Sequence, residues 1–355
     1  MKIAMFSMGS ESSKRIIEAL KEHFDEVTHF DVRRVEMRIG KGKPELFYEE
    51  KELNEEFDCV YLKSSFRYAV MLKALASYYD GHAYMPIAPE AFTIVHDKVY
   101  THISLEKAGV KTPETYITPS VKEAKNSLDK LNFPIILKIP GGTHGKGVMF
   151  AESPAAAAGI LDTLSELRQA VMLQAYIETG GRDLRAIVVG DKVVATMARK
   201  AAKNEKRANV HAGGTTEAVE LDSHAKKMAV KAAKALKAEI CAVDILESVK
   251  GPLVLEANIS PGLQGIMAAT KRDIPTDIAK FLAKETKEFL NEKKSEEHAE
   301  KLIEETNEAQ QIITKLDFRG DRVLLPEVVS KMASLKEDQE VILKISKGKV
   351  ELEKS

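Results

Sequence analysis

The chain has 355 residues, a formal net charge of −1 at pH 7 and 30% charged side chains. At roughly 100–200 residues per domain that length suggests two or three folding units with a sizeable core. The near-neutral balance excludes a strongly basic, nucleic-acid-coating surface. Its Lys- and Glu-rich character is compatible with heat adaptation. Only two cysteines occur, Cys59 and Cys241, both in apolar strand-like runs and not in a CxxC pair, so a disulfide framework or a zinc site is not expected. The N-terminus reads as a first strand rather than a signal peptide, and no run approaches the ~18 apolar residues of a membrane helix. The expectation is a soluble, cytoplasmic protein without membrane contact.

In chain order, residues 2–6 read as a strand, followed by a polar turn and a helix with Ile16, Ile17, Leu20 and Phe24 on one face. Residues 59–62 read as a buried strand and 70–79 as a helix, so that 1–90 form a small α/β domain. Residues 97–108 have helical spacing and stop at Gly109. A strand over 134–139 leads into a loop rich in glycine, then a strand over 148–151 and another over 171–177. Residues 186–189 and 193–198 make a hairpin around Gly190-Asp191. An alanine-rich helix covers 225–236, and 240–246 and 253–259 make a second hairpin. A helix over 274–290 closes this part. Residues 291–311 read as a charged exposed helix or linker, and 312–355 regain strand character over 322–325, 340–345 and 350–352.

Three constellations carry chemistry. Glu256 and Asn258 are two apart on a strand and share a face, and Asp244 falls opposite Glu256 if the turn centres near Lys250. A one-residue slip would reverse that face. Two carboxylates and an amide oxygen suit a hard cation such as Mg²⁺, although a solvated polar face has the same spacing. The glycine loop fails the Walker pattern, because Pro140 stands where the first glycine belongs and Gly147 replaces the Ser/Thr. It runs from strand to strand, so it suits a hairpin lid whose backbone amides meet phosphate, with Lys146 adding charge. An ordinary glycine-rich turn has the same local features. Lys138 sits within an apolar strand and needs an anionic partner, whereas Lys98 at a helix start has a bland reading as a surface lysine. The basic segment Arg182, Arg185, Arg199, Arg207 suits carboxylate and phosphate recognition, or else a charged loop.

The order of these blocks decides between the readings. Asp97-Lys98, Lys138, the lid glycines 141–147, Gln174-Ala175-Tyr176-Ile177, Asp183-Leu-Arg185, Arg207-Ala-Asn209, Asp244, Glu256-Ala-Asn258 and Ser260-Pro-Gly262 together resemble the RimK-type branch of the ATP-grasp ligases. The resemblance runs over about residues 89–290. It implies an α/β and α+β architecture: a pre-ATP-grasp domain (1–90), an ATP-grasp domain (91–290, with a lid subdomain near 110–175), the linker (291–311) and a small β module (312–355). It implies that Lys98 and Lys138 contact ATP, that Gly142, Thr143, Gly145, Lys146 and Gly147 close over the triphosphate, and that Gln174, Ala175, Tyr176 and Ile177 form the hinge beside adenine. Asp183 would hold the ribose. Asp244, Glu256 and Asn258 would bind two Mg²⁺ (or Mn²⁺) ions, and Arg199, Arg207 and Asn209 would orient phosphate and substrate. The implied reaction joins an amino acid, with glutamate expected, to a carboxylate acceptor through an acyl phosphate. Ala175 departs from the family, which often has Glu there. An ATP-grasp kinase and a nucleotide-sensing regulator with a DNA-binding tail are the alternatives.

The tail is similar to a single AbrB-type swapped-hairpin half. That resemblance implies dimerisation and, in many members, DNA binding. Glu327 stands where a basic residue is common, which disfavours DNA and leaves a homo-oligomer, or a β appendage packed on the ligase, as the expected roles.

Overall fold

The computed structural model describes residues 1–40, 42–139, 147–166, 170–200 and 214–305, and parts of the C-terminal segment at 317–319, 322–326, 329–330, 335, 340–347 and 349–354. Two compact units are present, Met1–Thr286 and Lys287–Ser355.

The first unit opens with β1 (Lys2–Ser7) and α1 (Glu11–Leu20), whose N-cap Ser10 accepts from the Ser13 amide. Next come β2 (Glu26–Asp31), a small antiparallel meander of β3 (Val35–Arg38), β4 (Glu45–Tyr48) and β5 (Lys51–Glu52), then β6 (Cys59–Lys63) and α2 (Ala69–Tyr79). Strands β2-β1-β6 form a parallel sheet with β1 central. β6 is buried throughout, as expected of parallel strands covered on both faces. β2 and the meander escape sequence reading because their polar residues blur the apolar alternation.

A second sheet follows α3 (Ala91–Ile94) and α4 (Lys98–Lys107). It is built from β7 (Thr115–Thr118), β8 (Ile135–Lys138), β9 (Val148–Ala151) and β10 (Val171–Ala175) in the order β7-β10-β8-β9. Two helices, α5 (Val121–Asn126) and α6 (Pro154–Glu166), accompany it. This sheet and these helices have their own small core, including Ile135, Leu137, Leu161 and Leu173. α6 starts at a proline, a residue suited to the first helical position.

The third sheet orders β11 (Arg182–Val189), β12 (Lys192–Lys200), β13 (Thr215–Ala218), β14 (Ile240–Ser248) and β15 (Gly251–Asn258) as β13-β12-β11-β14-β15. α7 (Ser223–Ala235) packs buried alanines against it, and α8 (Gln264–Thr270) and α9 (Ile274–Glu305) follow. Its core is continuous with that of the first sheet. α9 is longer than the expected 274–290: no Gly or Pro interrupts the Glu/Lys-rich continuation, and those residues favour helix.

In the second unit the described residues form two hairpins, β16 (Asp317–Arg319) with β17 (Arg322–Leu324) and β18 (Val341–Ser346) with β19 (Lys349–Lys354). Among the described residues no helix is long and apolar enough to cross a membrane.

Candidate active site

The five-stranded sheet brings four ionic side chains into one buried network. Register pairs Asp183 with Arg199, Arg185 with Asp244, and Asp244 with Glu256. Partners in register share a face, and so do Asp183 and Arg185, two apart on β11. The Arg199 guanidinium donates from Nε and Nη2 to the Asp183 oxygens at 2.6 and 2.8 Å. The same Nη2 reaches Asp244 Oδ2 at 2.8 Å. Arg185 grips Asp244 from the other side, with Nε to Oδ1 at 2.8 Å and Nη2 to Oδ2 at 2.7 Å. Two guanidiniums thus balance two carboxylates, the arrangement that a buried charge requires.

Electrostatics follows the geometry. Burial alone would raise the Asp244 carboxyl, but Arg185 and Arg199 outweigh it and hold the pKa down to about 2. Burial raises Asp183, with Asp244 adding to it and Arg199 opposing. Glu256 meets solvent on the face of β15, yet the protein around it is dense enough that desolvation, then the Asp244 charge, raises its pKa. Lys138 stands at the end of β8 in the second sheet. Desolvation depresses its amine to about 8, Glu256 opposes that shift and Lys98 adds to it. Lys138, Lys98 and Glu256 thus lie within electrostatic reach of one another and form one cluster that spans the two sheets.

Around this cluster the other expected residues divide. Lys98 opens α4 directly after Asp97, whose Oδ1 caps the Val99 and Tyr100 amides at 2.8 and 3.2 Å. Gln174 is buried; its Nε2 donates to Thr115 Oγ1 at 2.9 Å and lies 3.3 Å from His102 Nε2, so its amide ties β10 to β7 and α4. The Ala175 and Tyr176 amides donate to Glu114 and Pro134 carbonyls. The Tyr176 ring meets Phe150 edge-on at 5.1 Å, and Ile177 is half-buried. Gly147 closes the β8–β9 connection at φ +74°, its carbonyl accepting from the Ile139 amide, and an added Cβ there would stand 3.3 Å from the Ile139 side chain. Asn258 is exposed and its Oδ1 accepts from the Ser260 amide at 2.8 Å. Gly142, Thr143, Gly145, Lys146, Arg207 and Asn209 lie outside the described residues.

Two side chains were not singled out by the sequence. Arg185 was one charge among several in a basic segment, and only pairing with Asp244 sets it apart. His102 gave no signal. It is buried beside Gln174, and burial, with Lys138, lowers it to about 4.

The donor set also bears on a metal ion. Among the described residues no group of three or more His, Cys, Asp or Glu side chains is arranged to hold one. The sheet instead offers, on one face, the Glu256 carboxylate, the Asn258 amide oxygen and the Asp244 carboxylate. Glu256 fits: a cation would relieve both its desolvation and its repulsion from Asp244. Both Asp244 oxygens already accept from guanidiniums, so this carboxylate would offer its remaining lone pairs.

The RimK-like ATP-grasp domain profile matches residues 95–283, and the RimK PreATP-grasp domain profile matches residues 1–69. A probable alpha-L-glutamate ligase of Vibrio cholerae serotype O1 is 37% identical over 289 residues, covering 80% of this chain and 96% of that protein. A probable alpha-L-glutamate ligase of Thioalkalivibrio sulfidiphilus is 36% identical over 287 residues, covering 79% and 95%. The fold is similar to that of a RimK domain ATP-grasp protein from Sphaerobacter thermophilus, with a TM-score of 0.60 at 19% identity over 79% of this chain and 99% of that one. It is also similar to a RiPP-associated ATP-grasp ligase of Chryseobacterium gregarium solved with ADP and a leader and core peptide, with a TM-score of 0.62 at 18% identity over 80% and 97%. The chain therefore belongs to the RimK-like ATP-grasp ligase family.

Proposed function

We propose that the protein is an ATP- and Mg²⁺-dependent carboxylate–amine ligase that adds L-glutamate to a carboxylate-bearing acceptor in the cytoplasm. The observation that carries this reading is the row Arg199, Asp183, Arg185, Asp244 and Glu256 on one face of a sheet, opposed by Lys138 from another sheet. Cations and hard oxygens facing one another across a cleft suit a transferring phosphoryl group. The name of the Vibrio cholerae relative supports glutamate as the amino acid. The peptide-bound Chryseobacterium gregarium ligase supports a peptide carboxylate as acceptor.

On this reading Lys98 and Lys138 hold phosphate oxygens, and the lid residues Gly142, Thr143, Gly145, Lys146 and Gly147 exclude water. The Tyr176 ring and Ile177 flank adenine. The ribose meets those Asp183 lone pairs not given to Arg199. Asp244, Glu256 and Asn258 would hold two Mg²⁺ ions, for which Mn²⁺ would substitute. Bound metal supplies charge neutralisation on the phosphoryl group. The acceptor carboxylate attacks the γ-phosphorus, ADP leaves and an acyl phosphate forms. The amine nitrogen then attacks the acyl carbon, phosphate leaves and the nitrogen loses a proton. Arg199, Arg207 and Asn209 orient the phosphoryl group and the acceptor. Water excluded from the closed cleft does not hydrolyse the acyl phosphate.

The test is ADP release from ATP and Mg²⁺ with amino acids crossed against carboxylate acceptors, products followed by mass. A gain of one amino-acid residue per ADP is expected. A phosphorylated product with no amino acid gained would replace the ligase with a kinase. Glu256→Ala is expected to abolish turnover and weaken metal-dependent nucleotide binding; near wild-type activity would remove Glu256 from the site.

A further inference from the structure

The first sheet ends in polar side chains that the ligase array does not use. Lys63 is the last residue of β6 and only 5% exposed. Among the described residues its amine has neither a hydrogen bond nor an ion pair, and no neighbouring charge acts on it. Tyr61 precedes it by two positions and so shares its face of the sheet. Among the described residues the buried Tyr61 hydroxyl has no hydrogen-bond partner, and neither has the Ser64 hydroxyl next in the chain. Three donors in one short segment are thus left unanswered.

The surroundings say where this segment points. Ser7 pairs with Lys63 in the parallel register, so the face of Lys63 is also that of Ser7 and Met5. The ligase domain covers that face: Cys59 lies beside Thr286 of α9, and Tyr61 lies within electrostatic reach of Cys241 on β14. Ser12 on α1 accepts from the Leu263 amide at 2.9 Å, and Leu263 follows the strand that carries Glu256 and Asn258. Lys63 therefore stands at the carboxyl edge of a parallel sheet, the edge at which such sheets present ligand sites. It also faces the domain that carries the acidic strand.

An ammonium buried without a counter-charge is destabilising, and an apolar residue would serve the fold better. The charge is explained if its partner arrives with a ligand. On the ligase reading the triphosphate has its own cations, Lys98 at the start of α4 and Lys138 on the second sheet. A carboxylate can accept from an amine and a hydroxyl at once. We infer that Lys63, with Tyr61, is a seat for a carboxylate of the ligase's substrate. The inference rests on the ligase reading above and leaves two sources for that group, the incoming amino acid and the acceptor.

Calorimetric titration of the full-length protein, with AMP-PNP and Mg²⁺ present, tests it. The two probes are L-glutamate and tri-α-L-glutamate. Lys63→Met is expected to weaken binding by roughly 10-fold or more, and Lys63→Arg to stay within about 3-fold of wild type. Weakening confined to free glutamate assigns the seat to the incoming amino acid, and weakening confined to the peptide assigns it to the acceptor. Lys63→Met is also expected to raise the Tm of the ligand-free protein by removing an uncompensated charge. A lowered Tm with unchanged affinities would make Lys63 structural and overturn the seat. So would unchanged binding of both probes, or no binding of either by wild type at millimolar concentration. Lys63-dependent binding without amide product from any amino acid would sink the ligase reading and leave the seat. Amide formation with Lys63-independent binding would do the reverse.

Discussion

At the residue scale the site is a problem of buried charge. Asp244 is almost wholly buried and receives three N–H donors from two arginines. Removing one guanidinium leaves a carboxylate half answered in a poor solvent. Arg185→Leu is therefore expected to destabilise the fold by about 3–5 kcal/mol, read as a lower denaturation midpoint. A loss under about 1 kcal/mol would show that water replaces the arginine. Lys63 gives a prediction of opposite kind. Its folded pKa is depressed from 10.5 to about 8 by desolvation. Between those values the unfolded chain binds more protons than the folded one, so stability rises with pH across that window. The rise should be on the order of 3 kcal/mol, and Lys63→Met should remove it from ligand-free unfolding curves at pH 8 and 10.5. A slope that persists in the variant would assign it to other groups. Both residues were visible as charges in the sequence. Their partners, or lack of them, were not, because Arg185 and Asp244 are paired by strand register, and Lys63 is buried by chain distant in sequence.

At the element scale the hairpin β14–β15 was legible. The apolar runs on each side of Lys250-Gly251 fix a turn, and the observed register sets Asp244 opposite Glu256. The hairpin β11–β12 is longer than its apolar run of 186–198 suggested, because Asp183 and Arg199 satisfy each other at its polar end. The C-terminal hairpin poses a different question. Ile342, Leu343, Ile345 and Val350 are 49, 54, 75 and 67% exposed. A two-stranded hairpin with bare apolar side chains is marginal in water. We propose that a second copy covers it. Deleting residues 312–355 is expected to lower the solution mass from dimer to monomer by light scattering while turnover persists. An unchanged mass would refute the dimer role.

At the scale of the whole molecule the two cores are unequal. The sheet β7-β10-β8-β9 rests on a small core of its own, while the first and third sheets share a continuous one. Small cores open at lower free energy. Amides of β8 and β10 are therefore expected to exchange hydrogen faster than those of β11 and β14. Nucleotide held between Lys138 and the third sheet should narrow that difference. Equal protection of the two sheets without nucleotide would show that they open as one unit.

The sequence by itself determined the residue types, the order of the motif blocks and the family to which they point, because chemistry and chain order are properties of the linear polymer. It also settled the hairpin turns and the strongly periodic helices, whose signals are local. Only the tertiary structure decided which charges answer one another. Strand register assigns Arg199 to both Asp183 and Asp244, and a slip of one residue would have reversed every face. Desolvation likewise belongs to the packed state, which is why Lys138 and Lys63 have depressed amines.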